Sequence, residues 1–417
     1  EGTTAALTIE VSDEDSDDTL SQRITGGADA DLFELGVCNT SRCTSNTLSF
    51  KAAPNFENPQ DADGDNDYVV IVEATDASDP VEQTVTISVT NAVEGRIVDA
   101  PLSGAAICID QDEDWKCDVG PPDDADCPAV FPPVNGCFTE PSGTSDERGY
   151  YSLAEGQKFP DQEMRVLSIG GTDILTNKEL SGLALIAEIP TDASQAIAVT
   201  PLSTVVTIAT DPAATLVALG FPDTVTPEQI TSIDPWALAT DSTEPSGEFA
   251  SSASLAQSIG ITTTELESVA DNVVTTSVQI ANLVQTADAL VTDTTTSGVQ
   301  DAAERAAMIS STVTQELVET IDAAVASAGS AAAASVDLGD ATVTNEVLKE
   351  TAEESATLIV AEIEAKQTAG TLDLSDTNDA TVSEILQIKE TQEIITQIGL
   401  DSSQTENIAA IATTAAE

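Results

Sequence analysis

The hydrophobic period of this 417-residue chain changes near residue 200, and this change constrains the fold more than any other feature. Before it, apolar and polar residues alternate in short runs separated by Gly, Asp, Asn and Pro, which is typical of strands. The clearest runs are residues 6–11, 47–50, 68–74 and 84–89. From Pro201 onward, apolar residues recur at three- and four-residue steps, which indicates helices. The sequence therefore predicts a multidomain protein with two all-β sandwich domains followed by an all-α helical region.

Three domains are expected from this change of period and from the length of the chain. The first covers residues 1–94 as a β-sandwich, and the second covers residues 95–200 as a β-sandwich with an Asp-rich loop and an extension. The third covers residues 201–417 and is predicted to hold about six to eight helices in a bundle or an elongated array. Thr226 and Pro227 mark one helix start, since Thr caps helices and Pro favours the first helical position.

The net charge limits the partners of the chain. It carries 73 acidic residues against 13 Lys and Arg, has no His, and has a formal charge of -60. Such a chain repels nucleic acid and anionic membranes, so neither is expected as a partner. No stretch approaches the length of about 18 apolar residues that a membrane span needs. A surface this acidic suits a salty or calcium-rich medium, where the repulsion is screened.

The stretch C-I-D-Q-D-E-D-W-K-C-D, at residues 108–118, is a candidate metal site. It contains four aspartates at relative positions 1, 3, 5 and 9, which are Asp110, Asp112, Asp114 and Asp118. Like charges this close repel unless a cation lies among them, and Ca²⁺ suits flexible carboxylate loops. The loop differs from an EF-hand, because Trp115 replaces the invariant Gly and Pro121 replaces the bidentate Glu. We predict a calcium site here, and the alternative is a solvated acidic turn.

The six cysteines occur as close pairs in loop-rich sequence. The pairs are Cys38 with Cys43, Cys108 with Cys117, and Cys127 with Cys137. An even number of local pairs indicates disulfides and an oxidising compartment, so we expect an extracellular or cell-surface protein. Pairing between neighbours is preferred among many possible connectivities; zinc is the alternative, but no C-x₂-C pair and no His supports it. Because the chain begins at Glu1 and not at Met, we expect a processed product or a fragment.

Residues 1–94 carry a set of motifs in a characteristic order. Glu1 lies in E-G-T-T, Asp13 and Asp15 form an Asp-x-Asp, and Y-V-V-I-V-E-A-T-D ends at Asp76. I-T-G-G-A-D-A-D-L-F-E-L and L-S-F-K-A-A-P-N-F-E-N lie between them, at residues 24–35 and 48–58. This order resembles a cadherin-type repeat, in which calcium ions bind at the junctions between repeats.

The cadherin resemblance implies calcium ligands at two junctions. Asp13, Asp15 and Asp76 match positions that bind calcium at the N-terminal junction of a repeat, and Glu1 and Glu57 match positions at the C-terminal junction. The sequence departs from the family at two places: Asn55 stands where Asp is usual, and T-N-A-V-E-G replaces the closing Asp-x-Asn-Asp-Asn linker. Separately, the loop D-A-D-G-D-N-D at residues 61–67 has two open interpretations, an ion site or a polar hairpin turn.

A second set of motifs lies between residues 95 and 155. R-I-V-D-A-P-L-S-G-A-A-I-C-I-D, at residues 96–110, predicts a strand, a tight turn and a second strand that enters the Asp-rich loop. T-S-D-E-R-G-Y-Y-S-L follows at residues 144–153. This order is similar to the Cna-B or carboxypeptidase-regulatory-like β-sandwich modules of bacterial surface proteins. The helical half shows no such resemblance.

The sequence predicts no enzyme. Without His, the usual general base for a Ser or Cys nucleophile is absent, and no G-x-S-x-G motif, Walker loop or dinucleotide-binding Gly motif occurs. Counting acidic pairs leaves a two-carboxylate glycosidase open, but sugar clefts usually need aromatic platforms, and the chain has 2 Trp and 3 Tyr.

Two functional hypotheses follow from modular β domains, calcium loops and disulfides. The first is a non-enzymatic structural subunit that self-assembles into a calcium-stabilised extracellular filament, sheath or surface layer of a bacterium. A head-to-tail contact that does not close extends into such a fibre. The alternative is a fragment of a calcium-dependent bacterial adhesin that binds a surface ligand as a monomer.

Overall fold

Strands precede helices along the chain, as the sequence predicts. The computed structural model describes residues 4–12, 19–36, 43–56, 59–76, 80–90, 92–99, 101–111, 113–117, 140–154, 164–189, 196–239, 249, 256–257, 260–291, 293–375 and 379–398. The chain divides into two compact units, Glu1–Val93 (unit 1) and Glu94–Glu417 (unit 2). In the described residues, eight helices follow the last strand. The predicted order of β structure followed by helices is confirmed.

In its described residues, unit 1 contains two three-stranded sheets. Its described strands are β1 Ala5–Glu10, β2 Ser21–Gly26, β3 Phe33–Leu35, β4 Ser45–Phe50, β5 Asp67–Thr75 and β6 Val81–Ser88. One sheet has the order β1-β4-β3 and the other has the order β2-β5-β6, with all described pairs antiparallel. The four runs predicted from alternation fall on β1, β4, β5 and β6, because period-2 alternation matches the pleat of a strand.

Residues from both sheets of unit 1 share one apolar core. Tyr68, Val70 and Val72 alternate along β5 and are buried on one face of the strand. Tyr68 packs edge-on against Phe33 and Phe50, with ring centroids 6.2 Å and 5.0 Å away. The backbone N–H of Gln60 donates to the Tyr68 hydroxyl at 3.0 Å, so the buried ring keeps a partner for its polar end. This bond also ties the chain before β5 to the core.

The next nine strands of the described chain build three further sheets. They are β7 Ala92–Ile97, β8 Leu102–Ser103, β9 Ala106–Asp110, β10 Ser142–Thr144, β11 Tyr150–Ala154, β12 Arg165–Ile169, β13 Thr172–Asp173, β14 Ala184–Glu188 and β15 Ile197–Val199. The sheet orders are β10-β9-β12-β14, β11-β7-β15 and β13-β8. β14 is therefore an outer strand of the four-stranded sheet in the described residues, and β15 runs parallel to β7.

Most helix starts are specified by local sequence. The described helices are α1 Pro201–Ile208, α2 Pro212–Ala218, α3 Pro227–Thr231, α4 Pro235–Ala239, α5 Thr263–Leu290, α6 Ala302–Ala328, α7 Ala341–Ala369 and α8 Ala380–Ile398. The start predicted at Thr226 and Pro227 is confirmed, since Thr226 caps α3 and forms a capping box with Gln229. None of the described helices has both the length and the apolar content required to cross a bilayer.

The three longest helices pack through small and β-branched side chains. Val273 and Ile280 of α5, Val313 of α6 and Ile359 of α7 are all buried. Each of these three helices packs against the other two. The basic residue Arg305 at the start of α6 stabilises the end of α5, because its guanidinium donates to the carbonyls of Asp288 and Val291 at 2.7 Å and 2.9 Å.

Hydroxyl groups on helices satisfy the outer edge of β14. The N–H groups of Ala184 and Ile186 donate to Ser310 Oγ of α6 and Thr204 Oγ1 of α1, at 2.8 Å and 3.0 Å. Ser203 Oγ of α1 donates to the carbonyl of Ile186 at 2.8 Å. A buried strand edge without such partners is strongly unfavourable, because its backbone groups lose water and gain nothing. Helix side chains therefore complete this sheet.

The β and helical segments of unit 2 also share an apolar core. Ala306 of α6 lies in one buried cluster with Cys108, Leu167, Ala184 and Ile186 of the four-stranded sheet. The expected domains 95–200 and 201–417 lie within one compact unit. The physical reason is that the sheet edge and the helices bury each other's apolar and polar groups.

Replacing Ser310 by Ala tests the role of the helix hydroxyls. We expect S310A to lower the free energy of unfolding by about 1–3 kcal/mol, because the buried N–H of Ala184 loses its acceptor. Urea unfolding followed by circular dichroism measures this change. Ser311→Ala is the matched control, since its hydroxyl donates to the Met308 carbonyl within the same helix. Equal losses in the two variants would contradict the role assigned to Ser310.

Candidate metal centre

Three carboxylates meet in the loop at residues 61–67, called here the Asp61 loop, which leads into β5. One oxygen from each of Asp61, Asp63 and Asp65 lies within 4.8 Å of the others, so the three groups can share one ion. Among the residues that the structure describes, no other group of three acidic side chains meets this criterion. The sequence leaves two interpretations of this loop open, an ion site and a polar hairpin turn. The geometry of the three carboxylates is the one that an ion site requires.

The backbone of the Asp61 loop brings the alternate aspartates together. Gly64 and Asn66 adopt left-handed conformations, with φ of 77° and 68°. Gly and Asn are the residues that tolerate this region best. Asp61 Oδ2 accepts hydrogen bonds from the N–H groups of Gly64 and Asp65 at 2.8 Å and 2.9 Å. The turn thus folds around the Asp61 carboxylate and places the following carboxylates beside it.

Asp61 has one oxygen that lacks a partner. The residue is 8% exposed, and its Oδ1 is buried and accepts no hydrogen bond. Leaving a buried charged oxygen unpaired costs free energy, and a cation removes that cost. Oxygen ligands in an irregular carboxylate loop favour Ca²⁺ over Mg²⁺, which demands a more regular octahedron. The arrangement can therefore hold a hard divalent cation.

Electrostatic repulsion in the cluster appears in the pKa values. The neighbouring Asp65 carboxylate, followed by desolvation, raises the pKa of Asp63. Desolvation also pushes the pKa of Asp61 upward, but the backbone N–H groups of Asp65, Asp61 and Gly64, together with the Asp63 side chain, outweigh it, and the net pKa of Asp61 is lowered. Asp61 therefore keeps its charge readily, while Asp63 carries the repulsion that a bound cation would offset.

Asp29 ties both ends of the Asp61 loop to the sheet. It is 4% exposed, and its Oδ1 accepts from Ala62 N–H while its Oδ2 accepts from Val69 N–H, both at 2.7 Å. Sequence reasoning missed this residue because its partners lie 33 and 40 positions away. No local spacing connects Asp29 to the loop, although it stands within the motif I-T-G-G-A-D-A-D-L-F-E-L.

The predicted ligand Asp110 is paired with an arginine. It is fully buried, Arg165 Nε donates to its Oδ2 at 2.9 Å, and Arg165 Nη2 lies 2.8 Å from the same oxygen. Trp115 N–H donates to that oxygen as well, at 3.2 Å, and the guanidinium lies 5.3 Å from the Trp115 ring centroid. Burial raises the pKa of Asp110, and Arg165 opposes this rise without cancelling it. A protein cation thus neutralises one oxygen of this carboxylate.

The rest of the Asp110 loop, residues 108–118, is described in part. Asp114 Oδ1 accepts from Lys116 N–H at 2.9 Å, while Asp114 Oδ2 and Asp110 Oδ1 are buried without a hydrogen-bond partner. Trp115, at the position where an EF-hand has Gly, adopts a left-handed φ of 65°. Asp112 and Asp118 lie outside the described residues. The four-carboxylate calcium site therefore stays a prediction.

The structure describes some of the remaining predicted calcium ligands and cysteines, and the others lie outside the described residues. Of the cadherin-like calcium ligands, Asp76 directly follows β5 and is half-buried, while Glu1, Asp13, Asp15 and Glu57 lie outside the described residues. The predicted disulfide between Cys108 and Cys117 is confirmed, with the two Cα atoms 5.6 Å apart. Cys43 is also disulfide-bonded, whereas Cys38, Cys127 and Cys137 lie outside the described residues.

Comparison with known proteins assigns no family to this chain. No protein-family model matches it, and no curated protein is significantly similar to it. The resemblances to cadherin-type and Cna-B modules therefore stay predictions.

The pairing of Asp110 with Arg165 predicts a pH-dependent defect. We expect Arg165→Met to lower the free energy of unfolding by about 3–5 kcal/mol at neutral pH, because it leaves a buried charge unpaired. The folded-state pKa of Asp110, already raised, rises further in this variant. A carboxyl group whose pKa is raised in the folded state stabilises the fold at low pH, and this contribution is lost as pH rises. The loss of unfolding free energy in R165M should therefore become smaller as the pH falls toward about 5.

Urea unfolding at the two pH values measures this effect. Lys116→Met, which removes an exposed cation of the same loop, is the control and should cost much less. The double variant Asp110→Asn with Arg165→Met should recover part of the stability at neutral pH. An R165M deficit that equals that of K116M, or that ignores pH, would contradict the pairing as the source of stability.

Proposed function

We propose that this chain is a non-enzymatic structural subunit of a calcium-stabilised extracellular filament, sheath or surface layer of a bacterium. The observation that supports this most directly is the buried, unpartnered oxygen of Asp61 within a cluster of three carboxylates. An internal loop built this way gains stability when a divalent cation binds. Calcium is the cation proposed, since extracellular modules use carboxylate loops with affinities of about 10⁻⁴–10⁻³ M.

The proposal assigns β-sandwich domains to the β part of the chain. Residues 1–94 are taken as a cadherin-like sandwich, supported by two antiparallel sheets that share a core of residues from both. The β segment after them is taken as Cna-B-like, supported by the strand–turn–strand of β7 to β9 and the disulfide that closes the following loop. Disulfides also favour an extracellular location.

Outer strands supply a route to assembly. β6 is an outer strand in the described sheet β2-β5-β6, and most of its residues are exposed, with Val81 at 66% exposure. The free backbone groups of an outer strand accept a strand from another molecule. The charge of -60 opposes contact between copies, and bound calcium lowers that repulsion. Calcium is therefore expected to be required for assembly as well as for the stability of the Asp61 loop.

Electron microscopy of purified protein, with calcium and with a chelator, tests this proposal. We expect filaments or sheets in about millimolar calcium, and dispersed particles after the chelator is added. Replacing Asp61, Asp63 and Asp65 together by Asn should prevent calcium-dependent assembly. The matched control neutralises three exposed acids on helices, Glu267, Asp271 and Glu390, and should assemble normally.

The outcomes separate the candidate functions. Assemblies that survive the chelator with no bound calcium would contradict a calcium-stabilised structure. A particle that stays monomeric in calcium, by light scattering on a sizing column, would favour the adhesin fragment that the sequence leaves as the alternative. Equal assembly by the loop variant and the control variant would remove the Asp61 loop from the mechanism.

A further inference from the structure

The buried carboxylate of Asp29 lies outside the acidic cluster and accepts backbone N–H groups at both ends of the Asp61 loop. We infer that Asp29 is the positioning residue of this loop, so that cation affinity depends on a side chain that is not among the three candidate ligands. The inference shares with the proposed function the premise that the Asp61 loop binds calcium, but it does not require the chain to assemble.

The position of Asp29 is itself fixed by the backbone around it. Its N–H donates to the Val69 carbonyl at 3.0 Å, and its carbonyl accepts from Leu32 N–H at 2.9 Å. Gly27 makes this approach possible, because a Cβ atom there would lie 2.4 Å from the Val69 carbonyl oxygen. The chain from residue 27 to residue 29 therefore runs directly against the first residues of β5.

The Asp29 carboxylate then holds the two ends of the loop. Its two oxygens each accept one backbone N–H, from Ala62, which follows Asp61, and from Val69, two residues after Asp67. Since the loop ends are held by one rigid, buried group, the conformations open to residues 61–67 are restricted. Asp61 Oδ2 is occupied by the Gly64 and Asp65 N–H groups, which leaves Oδ1 available to an ion.

This arrangement predicts a specific result for Asp29→Asn. The Asn side chain has the same shape but a single acceptor oxygen, so the Ala62 or the Val69 N–H loses its partner. The loop then samples more conformations, and the three ligand carboxylates converge less often. Removing a partner that orients metal ligands typically costs about 10–100-fold in metal affinity, so D29N should bind calcium at least about tenfold more weakly.

The test uses the full chain in three variants beside the wild type. They are D29N; the loop variant with Asp61, Asp63 and Asp65 replaced by Asn; and Glu73→Gln. Glu73 is the matched control, because it is a buried acid on β5 that bonds Arg23 and not the loop. Titration calorimetry with calcium chloride in added sodium chloride measures affinity, since the salt suppresses diffuse binding to the acidic surface. Circular dichroism confirms that each variant is folded.

Hydrogen exchange read by mass spectrometry localises the effect. In the wild type, calcium should slow exchange in peptides that span residues 61–69, and E73Q should behave the same way. In D29N, these peptides should exchange faster without calcium and should need at least about tenfold more calcium for protection. The loop variant should lose the calcium response of these peptides, even if other acidic loops of the chain still bind calcium.

Three results would overturn the inference. The first is wild-type affinity and wild-type protection of residues 61–69 in D29N. The second is an equal weakening of binding in D29N and E73Q, which would indicate a general loss of stability. A wild-type response in the loop variant would also overturn it, because the loop would then not be the site. Failure of the proposed function looks different: the chain would bind calcium in an Asp29-dependent manner and still form no assemblies.

Discussion

Unit 2 depends on the hydrogen bonds between the outer edge of β14 and hydroxyl groups of the helices. If the backbone groups of a buried outer strand had no hydrogen-bond partners, their desolvation would cost more free energy than the apolar contacts of the strand contribute. The hydroxyls of Ser203, Thr204 and Ser310 supply those partners from two helices. They do so at short range, because small side chains let a helix approach the strand closely. The Ser- and Thr-rich composition of the helices is therefore part of how the sheet is completed, as well as a feature of their surface.

The distribution of positive charge is the second constraint. With 13 basic residues against 73 acidic ones, few acids can have a protein cation beside them. Arginines pair with buried acids that join distant parts of the chain, as in Arg23–Glu73, Arg96–Asp234 and Arg165–Asp110. Arg96 also lies 4.6 Å from the Tyr150 ring centroid, which adds a cation–π contact. Acids without such a partner must stay in water, accept backbone N–H groups as Asp29 does, or bind an external cation.

The two Asp-rich loops show both consequences of this constraint. Each alternates aspartates and contains residues with left-handed backbone, and in each the first aspartate accepts N–H groups from the following turn. In the Asp110 loop, Arg165 from β12 neutralises one oxygen, and a disulfide holds the loop closed. In the Asp61 loop, the unpartnered oxygen of Asp61 belongs to a cluster of three carboxylates. A similar pattern of residues therefore serves an internal ion pair in one place and a candidate calcium site in the other.

The sequence by itself determined the local elements. Alternation specified β1, β4, β5 and β6, the cap at Thr226 specified the start of α3, and the nine-residue spacing of Cys108 and Cys117 specified their disulfide. These features depend on residues close together in the chain, where periodicity and propensity act. Tertiary structure alone decided the union of the β and helical segments, the Arg165 partner of Asp110, and the bond from Asp29 to the Asp61 loop. Those contacts join residues 126, 55 and 33 positions apart, and at such distances the partner of a polar group depends on which surfaces pack together.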